Sequence, residues 1–297
     1  MKKKYCIAVI EIVFFSLAII LMAHSGVGVQ LTLPIFAIGM LLIGIHINYS
    51  IIIPNIKAQE DLKIAAEKSK QADILRKEFV ANVSHELKTP LTSITGFIET
   101  LQDGAAEDPE IRTKFIDIIA IETSRLKRLI EDLLVLSDIE NKKEMPESSQ
   151  IDVEGVIRGT AESLIPIARN KRVEIIIDCD QNLGIYGSSD RFSQLLVNLM
   201  ENAIKYSNDG GRVWVCAKSK GEQMEVSVKD EGIGIKNEHL ERLFERFYRV
   251  DKSRSTKAGG TGLGLSIVKH IAALFEADLR VESTVGEGTI FYVTFER

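Results

Sequence analysis

The sequence predicts a multi-domain chain in three parts. These are two transmembrane helices, an antiparallel helical hairpin that forms a dimeric four-helix bundle, and an α/β sandwich. Three observations predict it. Almost all the strongly apolar sequence lies in the first 53 of the 297 residues. From there to about residue 141, apolar residues recur at spacings of three, four and seven, the period of amphipathic helices. Beyond residue 150, short β-rich runs mix with helical ones, the pattern of one sheet layer against one helix layer. Charged residues at 27% and hydrophobic ones at 45% exclude a disordered or collagen-like chain. The net charge of −5 and a pI near 5.7 give no electrostatic support for binding nucleic acid. Cys6, Cys179 and Cys216 lie too far apart for a zinc motif or a disulfide framework, which fits a reducing compartment.

The first part, residues 1–53, holds two apolar runs, 5–23 and 31–53. Each is long enough to cross a hydrocarbon core of roughly 30 Å as a helix. The alternative for the first run is a cleaved signal peptide, but the run is long for one and lacks a small-residue cleavage site near its end. Lys2, Lys3 and Lys4 precede the first run, and Lys57, Lys63, Lys68 and Lys70 follow the second. Residues 24–30 between them carry no Lys or Arg, so the positive-inside rule places both termini in the cytoplasm of a multi-pass inner- or plasma-membrane protein. The outer loop is then too small for a folded extracellular sensor. Glu11 and His46 interrupt the runs, each about 10 Å from the cytoplasmic end at ~1.5 Å per residue. Ionisable groups at such depth pair or mark function. Two readings stand: the pair interacts and bears on signal detection, or each side chain reaches the interface independently.

A linker helix over 54–73, either coiled-coil-like or simply solvated, leads into the hairpin of residues 74–141. Leu62, Ala65, Ala72, Leu75, Phe79, Val83, Leu87, Leu91, Ile94, Phe97 and Leu101 form one stripe. Asp103-Gly104, with Pro109 soon after, breaks the helix, and Ile111, Phe115, Ile118, Leu126, Leu129, Leu133, Leu136 and Ile139 form a second stripe. A second copy would bury both. His85 lies off the first stripe, within 79–91 (FVANVSHELKTPL). Glu86 puts a carboxylate beside the imidazole, Thr89 a hydroxyl four residues on, and Pro90 a break in the backbone hydrogen bonding. An imidazole activated by a carboxylate is a competent nucleophile, whereas a lone exposed histidine is usually only surface.

In residues 150–297, strands are expected near 173–177, 212–216, 224–228 and 290–295, and helices near 190–206, 237–243 and 265–275. Four clusters there suggest a nucleotide site. In 198–206 (NLMENAIKY), Asn198, Asn202 and Lys205 share one helix face. Amide oxygens suit Mg²⁺ and Lys205 suits phosphate, although a polar surface stripe would read the same way. In 230–235 (DEGIGI), Gly232 and Gly234 let backbone approach a flat ring, and Asp230 can accept from an exocyclic amine; a plain turn is the alternative. Residues 244–249 (FERFYR) open a basic stretch with Arg246, Arg249, Lys252, Arg254 and Lys257 against Asp251, which reads as a lid drawn to polyphosphate or as a solvated loop. In 259–265 (GGTGLGL), glycines at a helix start free backbone N–H groups for phosphates. The last pattern has neither the Lys of a P-loop nor the preceding strand of a dinucleotide turn.

The order and spacing of these motifs from about residue 73 to 297 closely resemble a bacterial membrane sensor histidine kinase of a two-component system. The nearest type is the phosphate-regulon and cell-wall sensors, on FERFYRVD and GGTGLGLSIVKHI. The resemblance implies a Bergerat (GHKL-type) ATP-binding fold in 150–297, a homodimer, and phosphorylation of His85 by ATP. It implies that Glu86 is the base and orients the ring, and that Thr89 positions water for hydrolysis of the partner's phosphoaspartate. Asn202, with Asn198 near it, would hold Mg²⁺. Lys205, Tyr206 and Arg249 would contact the nucleotide. Asp230, Gly232 and Gly234 would form the adenine pocket, and Gly260, Thr261, Gly262, Leu263 and Gly264 would wrap the phosphates. The phosphoryl group would pass to an aspartate of a cognate response regulator, with phosphatase activity as the reverse control. Between the second apolar run and the acceptor motif there is too little chain for the HAMP or PAS module usual in the family, so the stimulus would arrive within the membrane lipid or through an accessory membrane protein. Phe275-Glu276-Ala277 replaces the small turn common after the last long helix. Another ATPase of the same nucleotide fold is the competing reading, and the acceptor motif on a dimerisation hairpin argues against it.

Overall fold

The computed structural model describes residues 2–25, 29–49, 53–141, 149–250 and 260–296. It divides into two compact units, Met1–Glu78 and Phe79–Arg297. The expected connection over 142–148 and the basic stretch 251–259 fall outside the described residues.

The first unit holds helices α1 (Lys2–His24) and α2 (Val29–Ile47) and the start of α3 (Ile53–Gln102). The Phe15 ring packs directly on the backbone of Gly39, which any side chain there would block. His46 Nε2 lies 3.9 Å from Glu11 Oε2, so the two polar side chains face each other. Phe14, Ile20, Leu21, Leu41 and Leu42 are each more than half exposed. Among the described residues, whose side chains in α1 are described only from Val9 onward, no helix is long and apolar enough to cross a membrane.

The second unit begins with the hairpin. Helix α3 ends before Gly104, which adopts φ 110°, a conformation glycine reaches without penalty. A single 3₁₀ turn follows. Helix α4 (Pro109–Asn141) then starts on the Asp108 carboxylate, which accepts from the backbone N–H of Glu110 at 2.9 Å and of Ile111 at 3.2 Å. Pro109 in the first turn forfeits no intrahelical bond. The stripes of α3 and α4 meet at Phe97 and Phe115, whose ring centroids are 4.8 Å apart.

The α/β part comprises β1 (Ser149–Asp152), α5 (Val153–Asn170), β2 (Glu174–Cys179), β3 (Gly184–Gly187), α6 (Ser189–Tyr206), β4 (Arg212–Lys220), β5 (Gln223–Asp230), α7 (Asn237–Leu240), α8 (Gly264–Leu274), β6 (Asp278–Thr284) and β7 (Gly288–Glu296). Five strands form one mixed sheet in the order β2-β4-β5-β7-β6, with only β2 and β4 parallel; β1 and β3 form a separate antiparallel pair. Alternation places Val213, Val215 and Ala217 of β4, Met224, Val226 and Val228 of β5, and Phe291, Val293 and Phe295 of β7 among the buried residues. They share this core with the buried stripes of α5, α6 and α8. Asp152 and Ser188 cap α5 and α6. The turn after α8 puts Glu276 at φ 51° and seats Phe275 on Phe192 and Phe295 at 6.3 and 5.5 Å. The same core takes in Leu129, Leu136 and Ile139 of α4, so hairpin and sandwich share one hydrophobic cluster.

The structure adds α5 and the strands β1, β3 and β6 to the elements expected from sequence, and reduces the expected helix at 237–243 to the four residues of α7.

Candidate active site

Helix α6 is the spine of the site. Its apolar face (Phe192, Leu195, Leu196, Leu199, Ala203 and Ile204) is buried in the core, which fixes how its polar residues are presented. Asn198 is itself 9% exposed, and its Nδ2 donates to Gln194 O at 2.9 Å. Its Oδ1 lies against Gly264, where a Cβ would approach to 2.8 Å. Asn198 therefore packs α6 closely against the start of α8. Asn202, one turn on, is half-buried.

The other clusters close around α6 by backbone approach. Gly232 sits directly on the Tyr206 carbonyl, with Ser207 and Gly232 forming an isolated antiparallel bridge. Gly234, at φ 66°, lies against the backbone of Thr284. Gly262, at φ 77°, comes so close to Phe247 that a Cβ would lie 2.9 Å from its Cα, and Phe247 N–H donates to Gly262 O at 2.9 Å. Gly260 begins the described return of this loop and is half-buried. Leu263 is fully buried, and its N–H donates to Thr261 Oγ1 at 3.2 Å. No side chain caps the N-terminus of α8, which leaves backbone donors of its first turn for an anion.

Asp230 is 4% exposed at the end of β5. One oxygen accepts from Gly232 N–H at 2.8 Å. Burial pushes its carboxyl up to about 6, against the opposing pull of the Gly232 and Thr289 backbone N–H groups. Lys205 is brought down to about 8 by burial first, then by the neighbouring charges of Arg249 and Arg128. Burial raises the Tyr206 phenol and lowers Lys171, whose ammonium donates to the Lys205 carbonyl. This is a partly dehydrated pocket in which Lys205, Arg249 and Arg128 meet the carboxylates of Glu201 and Asp132, with the buried Asp230 at its edge. Such a carboxylate suits an amine donor, and such a cluster of cations suits phosphate oxygens. A backbone-lined cleft and a buried Arg249 Nε with no hydrogen-bond partner fit a polyphosphate ligand. Among the described residues no group of three or more His, Cys, Asp or Glu could hold a metal ion.

His85 is exposed on α3. Thr89 Oγ1 donates to the His85 carbonyl at 3.1 Å, on the turn where Pro90 cannot donate to Glu86. Glu86 accepts from two guanidinium groups, Arg125 of α4 at 3.1 Å and Arg249 at 2.8 Å. Further contacts tie the loops of the α/β part to the hairpin. Thr261 Oγ1 donates to Asp132 Oδ2 at 2.6 Å, and Arg246 and Arg191 pair with Glu140 and Asp138. Phe247 lies 6.0 Å from Phe79 between ring centroids. Phe247 is held at φ 62°, a conformation costing an L-residue about 1–2 kcal/mol.

Arg125, Arg128, Asp132 and Lys171 are the site residues that sequence reasoning missed. Arg125 and Asp132 are seven apart on α4, hence on one face, and flank the apolar Leu126, Leu129 and Leu133. Charges repeating at that interval beside an apolar stripe were the available signal.

Residues 75–142 match the His Kinase A (phospho-acceptor) domain. Residues 187–297 match the Histidine kinase-, DNA gyrase B-, and HSP90-like ATPase. Together the two matches cover more than half of the chain. The chain is similar to the sensor-like histidine kinase SenX3 of Mycobacterium tuberculosis, 39% identical over 216 residues that make up 73% of this chain and 52% of SenX3. It is similar to the sensor histidine kinase WalK of Bacillus subtilis, 40% identical over 226 residues, 74% of this chain and 36% of WalK. It thus spans about half the length, or less, of these curated relatives. A solved structure of histidine kinase ThkA in complex with response regulator protein TrrA superposes with a TM-score of 0.61 at 26% identity, over 74% of this chain and 61% of that one.

Proposed function

From the premise that a chain carrying both the phospho-acceptor domain and the ATPase domain of the sensor histidine kinases belongs to that family, we propose that this protein transfers the γ-phosphoryl group of ATP to His85. It then passes that group to an aspartate of a response regulator, and it acts as a phosphatase towards the same regulator. One observation carries the reading: the loop of the cationic pocket already reaches the acceptor turn, with Arg249 on the carboxylate next to His85.

A ring nitrogen of His85 attacks the γ-phosphorus, the bond to the β–γ bridging oxygen breaks, and ADP leaves with that electron pair. The ring proton passes to Glu86. Lys205 and Arg249 neutralise charge on the phosphates, and Asp230 orients the base by accepting from its amine. Asn202 would hold Mg²⁺ together with phosphate oxygens, and the ion would add charge neutralisation at the transferred group. In the second step the phosphorus–nitrogen bond breaks as the regulator's carboxylate attacks, and the imidazole leaves. The regulator partner is supported by the likeness to ThkA, whose structure is a complex with response regulator protein TrrA.

The finer reading includes a homodimer and a membrane anchor. Leu91 of α3, and Ile116 and Leu134 on one face of α4, are each more than half exposed, apolar side chains that a second copy would cover. The runs 5–23 and 31–53, the lysines flanking them and the exposed apolar side chains of α1 and α2 support two spans in lipid, with both termini cytoplasmic. With a short outer loop, a signal would arrive within the bilayer or through an accessory membrane protein.

The test is incubation with γ-labelled ATP and magnesium. The full chain should acquire an acid-labile, alkali-stable label. His85→Gln should lose the label while still binding ATP, and label retained in that variant refutes the assignment. Free phosphate without protein label would mark an ATPase instead.

A further inference from the structure

Arg249 is a cation with an incomplete set of partners. Its side chain is 7% exposed. One terminal nitrogen is shared between Glu86 Oε2 at 2.8 Å and the Thr261 carbonyl at 2.9 Å, while Nε is buried with no hydrogen-bond partner. A buried guanidinium N–H left unpaired costs free energy that an added acceptor would recover. Arg249 is also close enough to Lys205, as is Arg128, to depress that ammonium against the opposing pull of Glu201, so three cations and one carboxylate share a partly dehydrated pocket. The cations outnumber that carboxylate, which leaves room for a further anion. On this side of the pocket Glu86 supplies it, reaching from the hairpin across 163 residues of sequence.

The same carboxylate is held from behind. Arg125 of α4 is 9% exposed, donates to the same Glu86 oxygen at 3.1 Å, and is braced by Glu122 at 3.7 Å. Glu86 is therefore clamped between one guanidinium inside the hairpin and one on the nucleotide loop. Neither interaction directs it at the imidazole of His85. A second polar tie runs parallel to it, from Thr261 of the glycine-rich loop to Asp132 of α4. The loop residues expected to wrap phosphates are thus held by acidic side chains of the hairpin.

We propose that the Glu86 carboxylate and a nucleotide phosphate are alternative ligands of Arg249, so that polyphosphate binding withdraws Arg249 from Glu86 and releases the base beside His85. Arg125 then acts as the positioning residue that keeps the released carboxylate on the hairpin. The inference rests on the nucleotide reading of the pocket. It goes beyond that reading in making ATP both the phosphoryl donor and the key that frees the base. Competition of this kind lowers apparent nucleotide affinity by the fraction of molecules in which Glu86 holds the arginine.

The experiment is a binding titration of the full chain in detergent with Mg²⁺ and the non-hydrolysable analogue AMPPNP. Glu86→Gln should bind about five- to tenfold tighter than the parent, since a neutral amide is the weaker rival for a guanidinium. Glu86→Asp, one methylene shorter, should fall between the two. In an Arg249→Ala background, where affinity is lower, Glu86→Gln should change it by less than about twofold, the expected signature of a coupled pair. Equal or weaker binding by Glu86→Gln, or the same gain in the Arg249→Ala background, overturns the competition. If the parent binds AMPPNP and the variants show no gain, the competition alone is lost. If no form binds AMPPNP, the competition and the nucleotide reading fall together.

Discussion

In the proposed nucleotide pocket, Asp230 and Lys205 would set the pH window for binding. Asp230 loses its proton only near pH 6, above the ordinary carboxylate range, because burial disfavours its charge. Below that value it is neutral and cannot accept an amine hydrogen bond in the ionised form. Lys205 keeps its proton only up to about pH 8, because burial and Arg249 disfavour its charge. Above that value its attraction for phosphate is gone. Nucleotide affinity should therefore peak between about pH 6 and about pH 8, falling on either side. In a Lys205→Arg variant, charged throughout, the alkaline limb should disappear while the acid limb stays; calorimetry across this range checks both. Thr89 makes a separate prediction. Its hydroxyl rests on the His85 carbonyl, a bond that any backbone-tolerant residue can forgo. Thr89→Ala should therefore weaken phosphatase activity towards the regulator more than autophosphorylation, and the opposite ranking would remove Thr89 from its assigned role.

At the scale of elements, the site is assembled by what α6 accepts against it. The turn after β5 reaches α6 through Gly232, where a Cβ would press on the Tyr206 carbonyl and lie 2.6 Å from Asp230 Oδ1. Backbone cannot yield there without moving the strand end. Gly232→Ala should cost about 2 kcal/mol or more in stability and lose nucleotide binding out of proportion, by chemical denaturation and titration. The C-terminal half of α4 is an element of both hairpin and sandwich, since Leu136 is 1% exposed within the common core. Leu136→Ala should destabilise by roughly 2–5 kcal/mol. Much of this was legible in the sequence. Val213, Val215 and Ala217 alternate with partly exposed residues and announce β4; Leu195, Leu199 and Ala203 announce the inner face of α6. The strand β6 was not legible, because its burial alternates only between exposed and half-buried at the sheet edge, and no apolar run marks it. The strands β1 and β3 have four residues each, too short for a period to register.

At the scale of the molecule, exposed apolar side chains on one face of α4 carry the prediction of a homodimer. Replacing Ile116 and Leu134, which are 52% and 64% exposed and lie on one face of the helix, by aspartate should convert the proposed dimer to monomer in sedimentation without unfolding the sandwich. The proposed anchor makes a prediction as well. The full chain should fractionate with membranes and resist extraction by salt but not by detergent, while a chain lacking residues 1–53 should be released. The facing of Glu11 and His46 at 3.9 Å ties this anchor to the sensing hypothesis. Glu11→Gln or His46→Gln should alter stimulus-dependent signalling, and unchanged signalling in both would dismiss it.

The sequence by itself determined the faces of the helices, the principal strands, and the glycine and amide motifs of the pocket, because periodicity and local chemistry are properties of neighbouring residues. Only the tertiary structure decided the strand order β2-β4-β5-β7-β6, the docking of α4 into the sandwich core, and the clamp of Arg125 and Arg249 on Glu86. Those depend on which distant segments share one desolvated space. A pattern along the chain states which side of an element is buried, but not what lies across from it.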